Sequence, residues 1–242
     1  MSILTDIKYS LLSLLAPPTC PICGKPADGP RCEICIDCRT NINTTGFIDT
    51  ADNAMEQRFW GYLPIYHAAA LFWFQKDSHW RNAIHRFKYK SRWAIALLLG
   101  RWLGEELRRS ERFSDVELII PIPLHWFRRC QRGYNQSEYL AIGVSERLGV
   151  PYDFKAVKRT RYNKSQTNKR RLERWDNVSN IFHVRKVERL RGRHILLVDD
   201  VFTTGSTITA CAEAILRACE GDVRISVATL AVSQQLLGTE RG

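Results

Sequence analysis

No uninterrupted apolar run in these 242 residues approaches the about 20 residues that crossing a bilayer requires, so no membrane span is expected. The chain also lacks GxxxxGK[ST], and with it the P-loop that a Walker-type nucleotide hydrolase needs. Acid is scarce beside base: 25 Asp and Glu face 36 Lys and Arg, a net charge of +11. That imbalance favours a polyanionic partner, nucleic acid or a small phosphorylated ligand, without choosing between them. The opening stretch MSILTDIKYSLLSLLAPP has no basic region ahead of its apolar part and no small-residue cleavage site, which argues against a signal peptide. Ile3, Ile7, Leu11 and Leu15 fall on one helical face, so an amphipathic docking helix is expected there.

What is present is ordinary globular composition, 45% hydrophobic and 25% charged, with room for one full domain and a small appendage. Five of the eight cysteines crowd between Cys20 and Cys38. Such spacing reads as metal ligation rather than as a disulfide framework, and it suits a reducing, cytoplasmic setting. Cys20-Pro-Ile-Cys23 and Cys35-Ile-Asp-Cys38 form two CxxC knuckles whose thiolates can complete a tetrahedral structural zinc site. Cys32 competes for a place in the second knuckle, because Cys32 and Cys35 are also a CxxC. Cys35 and Cys38 are preferred, since the residues after them read as a helix leaving the knuckle. Four thiolates leave no open coordination position, which speaks against catalytic zinc. The expected organisation is therefore an N-terminal helix and zinc module over 1–45, a polar linker over 46–63, and an α/β domain over 64–242.

Within that domain, Pro64 to Phe74 reads as a strand, Trp80 to Leu107 as helical segments, and Glu117 to Pro123 as a β-branched strand stopped by prolines. His85 and Lys88 read as exposed positions on an amphipathic helix. The loop expected from Pro123 to Gly133 carries Arg128, Arg129 and Arg132 at a strand's carboxyl end, where guanidinium groups can meet pyrophosphate. Ser137 to Leu148 suits a helix closed by Gly149, and Tyr152 to Val157 suits a further strand. From Lys155 to Arg193 the chain carries fourteen Lys and Arg against three acids, which reads as a long loop of lid type with Arg159, Arg161 and Arg174 as candidates to close over a phosphate. Val223 to Leu230 closes the sheet.

The stretch that organises the rest is Ile195-Leu-Leu-Val-Asp-Asp-Val-Phe-Thr-Thr-Gly-Ser-Thr207. Four apolar residues make a strand buried on both faces, Asp199 and Asp200 close it, and small hydroxylated residues lead into a helix. In an open α/β sheet, ligands collect at the carboxyl ends of the strands. Gly205 lets backbone approach a ligand, while Thr203, Thr204, Ser206 and Thr207 add hydroxyls to outward-pointing amides, a combination that holds phosphate.

Ile195 to Thr207 resembles the thirteen-residue phosphoribosyl-pyrophosphate (PRPP) signature of type I phosphoribosyltransferases. The resemblance implies a mostly parallel sheet flanked by helices. It implies that Asp199 and Asp200 bind the ribose hydroxyls, that Thr203, Thr204, Gly205, Ser206 and Thr207 cradle the 5-phosphate with Val201 and Phe202 in the same PRPP-binding segment, and that Mg2+ accompanies PRPP. Taken in order, the CxxC pair, Pro121-Ile-Pro-Leu-His-Trp126, Arg132-Gly-Tyr-Asn-Gln136, Lys158-Arg-Thr-Arg161, Gln166, Arg174, Asn177 and this signature resemble the ComF family of predicted amidophosphoribosyltransferases. Ile84-His85 and Lys88-Tyr89 belong to the same pattern. The family is similar to competence proteins that help bring single-stranded DNA into the bacterial cytoplasm. Two classes follow as expectations: an enzyme displacing pyrophosphate from PRPP with an unidentified nucleophile, or a zinc-bearing PRPP sensor or adaptor that handles single-stranded DNA and contacts competence-machinery proteins. The extra Cys32 departs from the family pattern. An N-terminal catalytic cysteine of glutaminase type is absent, so the chain is not expected to make its own ammonia.

Overall fold

The computed structural model describes residues 19–26, 34–75, 78–88, 92–160 and 181–234. The expected N-terminal helix, Cys32, Arg161, Arg174 and most of the basic loop lie outside them. In chain order the strands are β1 (Ile65–Phe74), β2 (Leu118–Pro121), β3 (Val157–Arg159), β4 (Phe182–Val184), β5 (His194–Phe202) and β6 (Arg224–Ser233). A four-stranded sheet runs β1, β6, β5, β2 with every pair parallel, and β3 and β4 form a separate antiparallel ribbon. The helices are α1 (Ile36–Thr40), α2 (Ala54–Gln57), α3 (His79–Lys88), α4 (Trp93–Arg109), α5 (Trp126–Arg132), α6 (Gln136–Leu148) and α7 (Ser206–Ala218). None of these is long and apolar enough to cross a membrane.

β5 is an interior strand, and Ile195 to Val198 are buried without exposure because the strand is covered on both faces. It runs through the two acids rather than stopping at them. Asp199, Val201 and Phe202 stay in register with Thr229, Ala231 and Val232 of β6, so the strand delivers both carboxylates at its carboxyl end. At the opposite end His194 is fully buried. Its Nδ1 lies 2.8 Å from Asp115 Oδ1 and its Nε2 2.8 Å from Ser226 Oγ, which ties β5 to β6 and to the turn before β2.

α4 and α6 cross at very short range. A Cβ added at Gly100 would lie 2.3 Å from the Leu140 carbonyl oxygen, and one at Gly143 would lie 2.4 Å from that of Leu97. Only glycine lets these backbones approach so closely, and the crossing seats the start of α6 beside the end of β5.

Three local expectations differ. The polar stretch over 46–63 is packed: Phe47, Ile48, Met55 and Phe59 are buried, Asn53 caps α2 and donates to Ala68 O at 2.9 Å, and Arg112 donates to Thr50 O at 2.7 Å and pairs with Glu56. Asn, Thr and Asp there serve as caps and turn formers, so polarity misled the reading. Pro123 to Gly133 is not an open loop but contains α5, capped by His125, whose Nδ1 accepts from Phe127 N, and stopped by left-handed Gly133. Tyr152 makes only a single parallel bridge to Ile119, and the strand begins at Val157.

Candidate functional site: a charged cleft at the end of the central strand

The carboxyl ends of β2 and β5, the start of α6, α3 and β3 surround a cleft of about 210 Å³. One wall is acidic. Asp200 is nearly buried, with its Oδ2 2.8 Å from Lys88 Nζ and 3.3 Å from Gln136 Nε2, while its Oδ1 accepts from Val201 N at 2.8 Å. Asp199 Oδ1 accepts from Ser137 Oγ at 2.8 Å and from Asp200 N at 2.9 Å. Burial and the neighbouring Asp200 charge push the Asp199 carboxyl up to about 7, against the pull of Ser137, the amide and Lys88. Asn135 sets this wall by capping α6, accepting from Ser137 N at 3.2 Å and donating to Ile122 O at 3.1 Å.

The other wall is basic. Arg128, Arg132 and Arg159 all border the cleft. Arg132 donates to Gln136 Oε1 at 3.2 Å, which links it through Gln136 to Asp200. Arg159 comes from β3, and its buried Nε has no hydrogen-bond partner. Burial and the nearby Arg128 both lower its affinity for its proton, with Asp199 opposing. A buried guanidinium N–H left unpaired costs stability unless a ligand supplies an acceptor, so this donor fits an anion in the cleft. Arg129 is turned the other way, onto Glu138 at 3.0 Å, and does not border the cleft.

Beyond the acids, Thr203 to Thr207 wrap a smaller hollow ahead of α7. Gly205 has φ +74°, and a Cβ there would lie 2.5 Å from the Phe202 ring, so both conformation and space demand glycine. Thr204 Oγ1 lies 3.1 Å from Ser206 Oγ and also accepts from Ser206 N at 3.4 Å, so the hydroxyls line the same turn as the amides. Phe202 is held from behind by Phe59, their rings 5.7 Å apart edge to face. The packed 46–63 segment thus supports the loop.

Lys88, Gln136, Ser137 and Asn135 were not among the candidate residues. Gln136 stood in a quoted motif without a role, and Lys88 was read as a surface position. Their part depends on where α3 and α6 dock, which spacing within one helix does not encode. Asn135 before a run of helix formers is a capping signal that was open to reading.

Apart from the cleft, the Sγ atoms of Cys20, Cys23, Cys35 and Cys38 all lie within 4.8 Å of one another. Cys23 and Cys35 are 3.7 Å apart, and Cys35 N donates to Cys20 Sγ at 3.5 Å. Burial opposes ionisation of Cys20, but the amides of Cys23, Cys35 and Ile22 outweigh it and bring the thiol to about 7. Burial and the adjoining thiols raise Cys38. Four convergent soft donors with a tendency to shed protons unequally fit a cation that would stabilise them together, so the cluster can hold a structural metal. The knuckle is joined to the domain where Arg86 of α3 donates to Ile22 O.

Residues 135–238 match the model of the phosphoribosyl transferase domain family. The chain is 37% identical to the DNA utilization protein YhgH of Shigella flexneri over 137 residues, which are 55% of this chain and 60% of that protein. It is 36% identical to competence protein F of Haemophilus influenzae over 129 residues, 52% of this chain and 56% of that one. Competence protein ComFC of Bacillus subtilis is 26% identical over 202 residues, 81% of this chain and 71% of that one. The matched region thus spans about 60% of the length of the first of these relatives. With the parallel sheet, paired acids, hydroxylated loop and cysteine cluster, these similarities support a phosphoribosyltransferase-like protein of ComF type.

Proposed function

We propose that the cleft binds PRPP and that the chain transfers its phosphoribosyl group to a nucleophile with loss of pyrophosphate. The observation that carries this reading is one cleft with two adjacent carboxylates on one wall, three arginines on the other and a hydroxylated glycine turn at its end. A sugar with vicinal hydroxyls, a phosphate at one end and a pyrophosphate at the other has the complementary pattern. In this reading Asp199 and Asp200 accept from the ribose 2- and 3-hydroxyls, and the amides and hydroxyls from Thr203 to Thr207 hold the 5-phosphate. Arg128, Arg132, Arg159 and Lys88 meet the pyrophosphate, with Arg161 and Arg174 proposed to join them. Arg129 is the weakest candidate because Glu138 already holds it.

The bond that breaks joins the anomeric carbon to the pyrophosphate oxygen, which leaves with the electron pair as the nucleophile's pair forms the new bond. The cationic wall stabilises the charge growing on that oxygen. The acidic wall fits Mg2+ with PRPP as well, and the ion would supply charge neutralisation to the leaving group. For the cysteine cluster the proposed metal is Zn2+. The competence and DNA-utilization names of the relatives support a role connected with DNA uptake, in which single-stranded DNA and competence-machinery proteins are proposed partners in a cytoplasmic setting.

Thermal unfolding with and without Mg2+ and PRPP tests the site. The ligand should raise Tm, because it binds only the folded chain, and Asp199→Asn with Asp200→Asn should remove the rise. An undiminished rise in the double variant rejects the cleft. A pyrophosphate-release assay with candidate amine and nucleobase acceptors then separates transfer from binding alone: a full Tm shift with no release under any acceptor marks a PRPP sensor.

A further inference from the structure

A second hollow, of about 440 Å³, lies at the other end of the sheet, where β2 begins and the chain enters β5. Its floor is Leu118, and its rim is Tyr152, Phe154, Lys155, Arg189 and Arg193. Tyr152 is 41% exposed. Its ring is stacked on that of Phe154, centroids 4.5 Å apart and planes 23° from parallel, so Phe154 occupies only one of its two faces.

The backbone beneath this face is fixed. Ile119 N donates to Pro151 O at 2.9 Å and Asp153 N to Ile119 O at 3.0 Å, so residues 151–153 lie as an added edge along β2. Asp153 then turns the chain by accepting from Lys155 N at 2.7 Å and Ala156 N at 3.1 Å, and Arg189 reaches its other oxygen at 3.4 Å. An exposed tyrosine stacked on a half-buried phenylalanine, in a cleft flanked by three cations of which one is partly engaged by a carboxylate, is not what a solvated surface requires. Exposed aromatic faces pay in hydration, and adjacent cations pay in mutual repulsion.

We infer that this hollow binds a nucleoside phosphate, its base stacked on Tyr152 and its phosphate held by Lys155, Arg189 and Arg193. Aromatic stacking accepts any base because every base has a π-face, while the cations supply affinity for the phosphate. The volume lies within the range of small-molecule sites. Two sources share this chemistry, a free nucleotide and one unit of a single strand. The site is distinct from the PRPP cleft, since the residues from His194 to Asp199 span roughly 17 Å of extended strand between them.

The experiment uses the full chain carrying Arg128→Gln, Arg132→Gln and Arg159→Gln, which removes the arginines of the cleft's basic wall so that the cleft cannot supply the anion-binding signal, with folding checked by circular dichroism. Isothermal titration is run with ADP, with adenosine, with pyrophosphate and with a five-nucleotide oligodeoxyadenylate. One saturable site per chain for ADP, weakened about tenfold by Tyr152→Ala, largely restored by Tyr152→Phe, and weakened by Arg193→Gln with reduced salt dependence, supports the free nucleotide. Saturable, Tyr152-dependent binding of the oligonucleotide alone supports the strand. Binding of neither ADP nor the oligonucleotide overturns the inference, and so does binding that Tyr152→Ala and Arg193→Gln both leave unchanged. Pyrophosphate binding as tightly as ADP would also overturn it, because the aromatic face would then contribute nothing.

Discussion

Lys88 and Asp200 form the most direct cross-element contact in the cleft, at 2.8 Å with the carboxylate nearly buried. A cation so placed pairs with the acid in the absence of ligand and becomes available to a phosphate when ribose hydroxyls take over the carboxylate. Lys88→Gln keeps length and polarity but removes the charge. It should weaken PRPP binding about tenfold or more, the usual scale for a charge-assisted hydrogen bond, and reduce the PRPP-induced Tm rise accordingly. Equal affinity in the variant would confine Lys88 to a structural role. Asp199 makes a second prediction. Its carboxyl is raised from 3.8 to about 7, so between those values the folded chain holds a proton that the unfolded chain has lost. This group's contribution therefore falls as pH rises through that window. Asp199→Asn imitates the protonated form, and the Tm difference between variant and wild type, without ligand, should move in the variant's favour from pH 4 to pH 7.5. A constant difference across that range refutes the shift. The cysteines admit a third comparison at this scale: metal content should survive Cys32→Ser and fall in Cys38→Ser, and the reverse result would exchange the two.

Elements show why some of this was legible and some not. β5 could be read from sequence because a strand covered on both faces must be apolar throughout, and acids at its carboxyl end have few uses other than a site. α7 and β6 followed from ordinary periodicity. α5 was read as loop because His125 to Gly133 is short and basic, without an apolar stripe, and its cap is a histidine rather than Ser, Thr, Asp or Asn. The 46–63 segment was read as a linker because its four buried apolar residues are spaced irregularly among polar caps. Lys88 could not be recognised, since its partner is 112 positions away and on another element. The α4 and α6 crossing is likewise invisible until both helices are placed, yet it makes a firm prediction. Gly143→Val puts side-chain atoms against the Leu97 carbonyl and the Arg101 amide, both backbone groups that do not yield easily. The variant should lose about 1–3 kcal/mol of stability in urea unfolding, and because α6 carries Gln136 and Ser137, it should lose PRPP binding more than in proportion.

In the molecule as a whole, the acidic wall of the cleft stands on the central strand, and its remaining parts arrive on helices and turns from the rest of the chain. Fixed position is what the scaffold supplies. Ser226, His194 and Asp115 illustrate the contrast: they stand in the hydrogen-bond order of a hydrolase triad, but Ser226 and His194 have no solvent exposure, so no substrate reaches them and their work is to join strands. The attachment of the cysteine cluster is different in kind. Arg86 grips the carbonyl of Ile22, between the first two cysteines, and two residues later on the same helix Lys88 grips Asp200. The last turn of one helix therefore connects the cysteine cluster with the charged cleft, so a change at the cysteines has a short path to Asp200. With the proposed metal and the proposed sugar phosphate both bound, removal of the metal should loosen the sugar phosphate before the sheet comes apart.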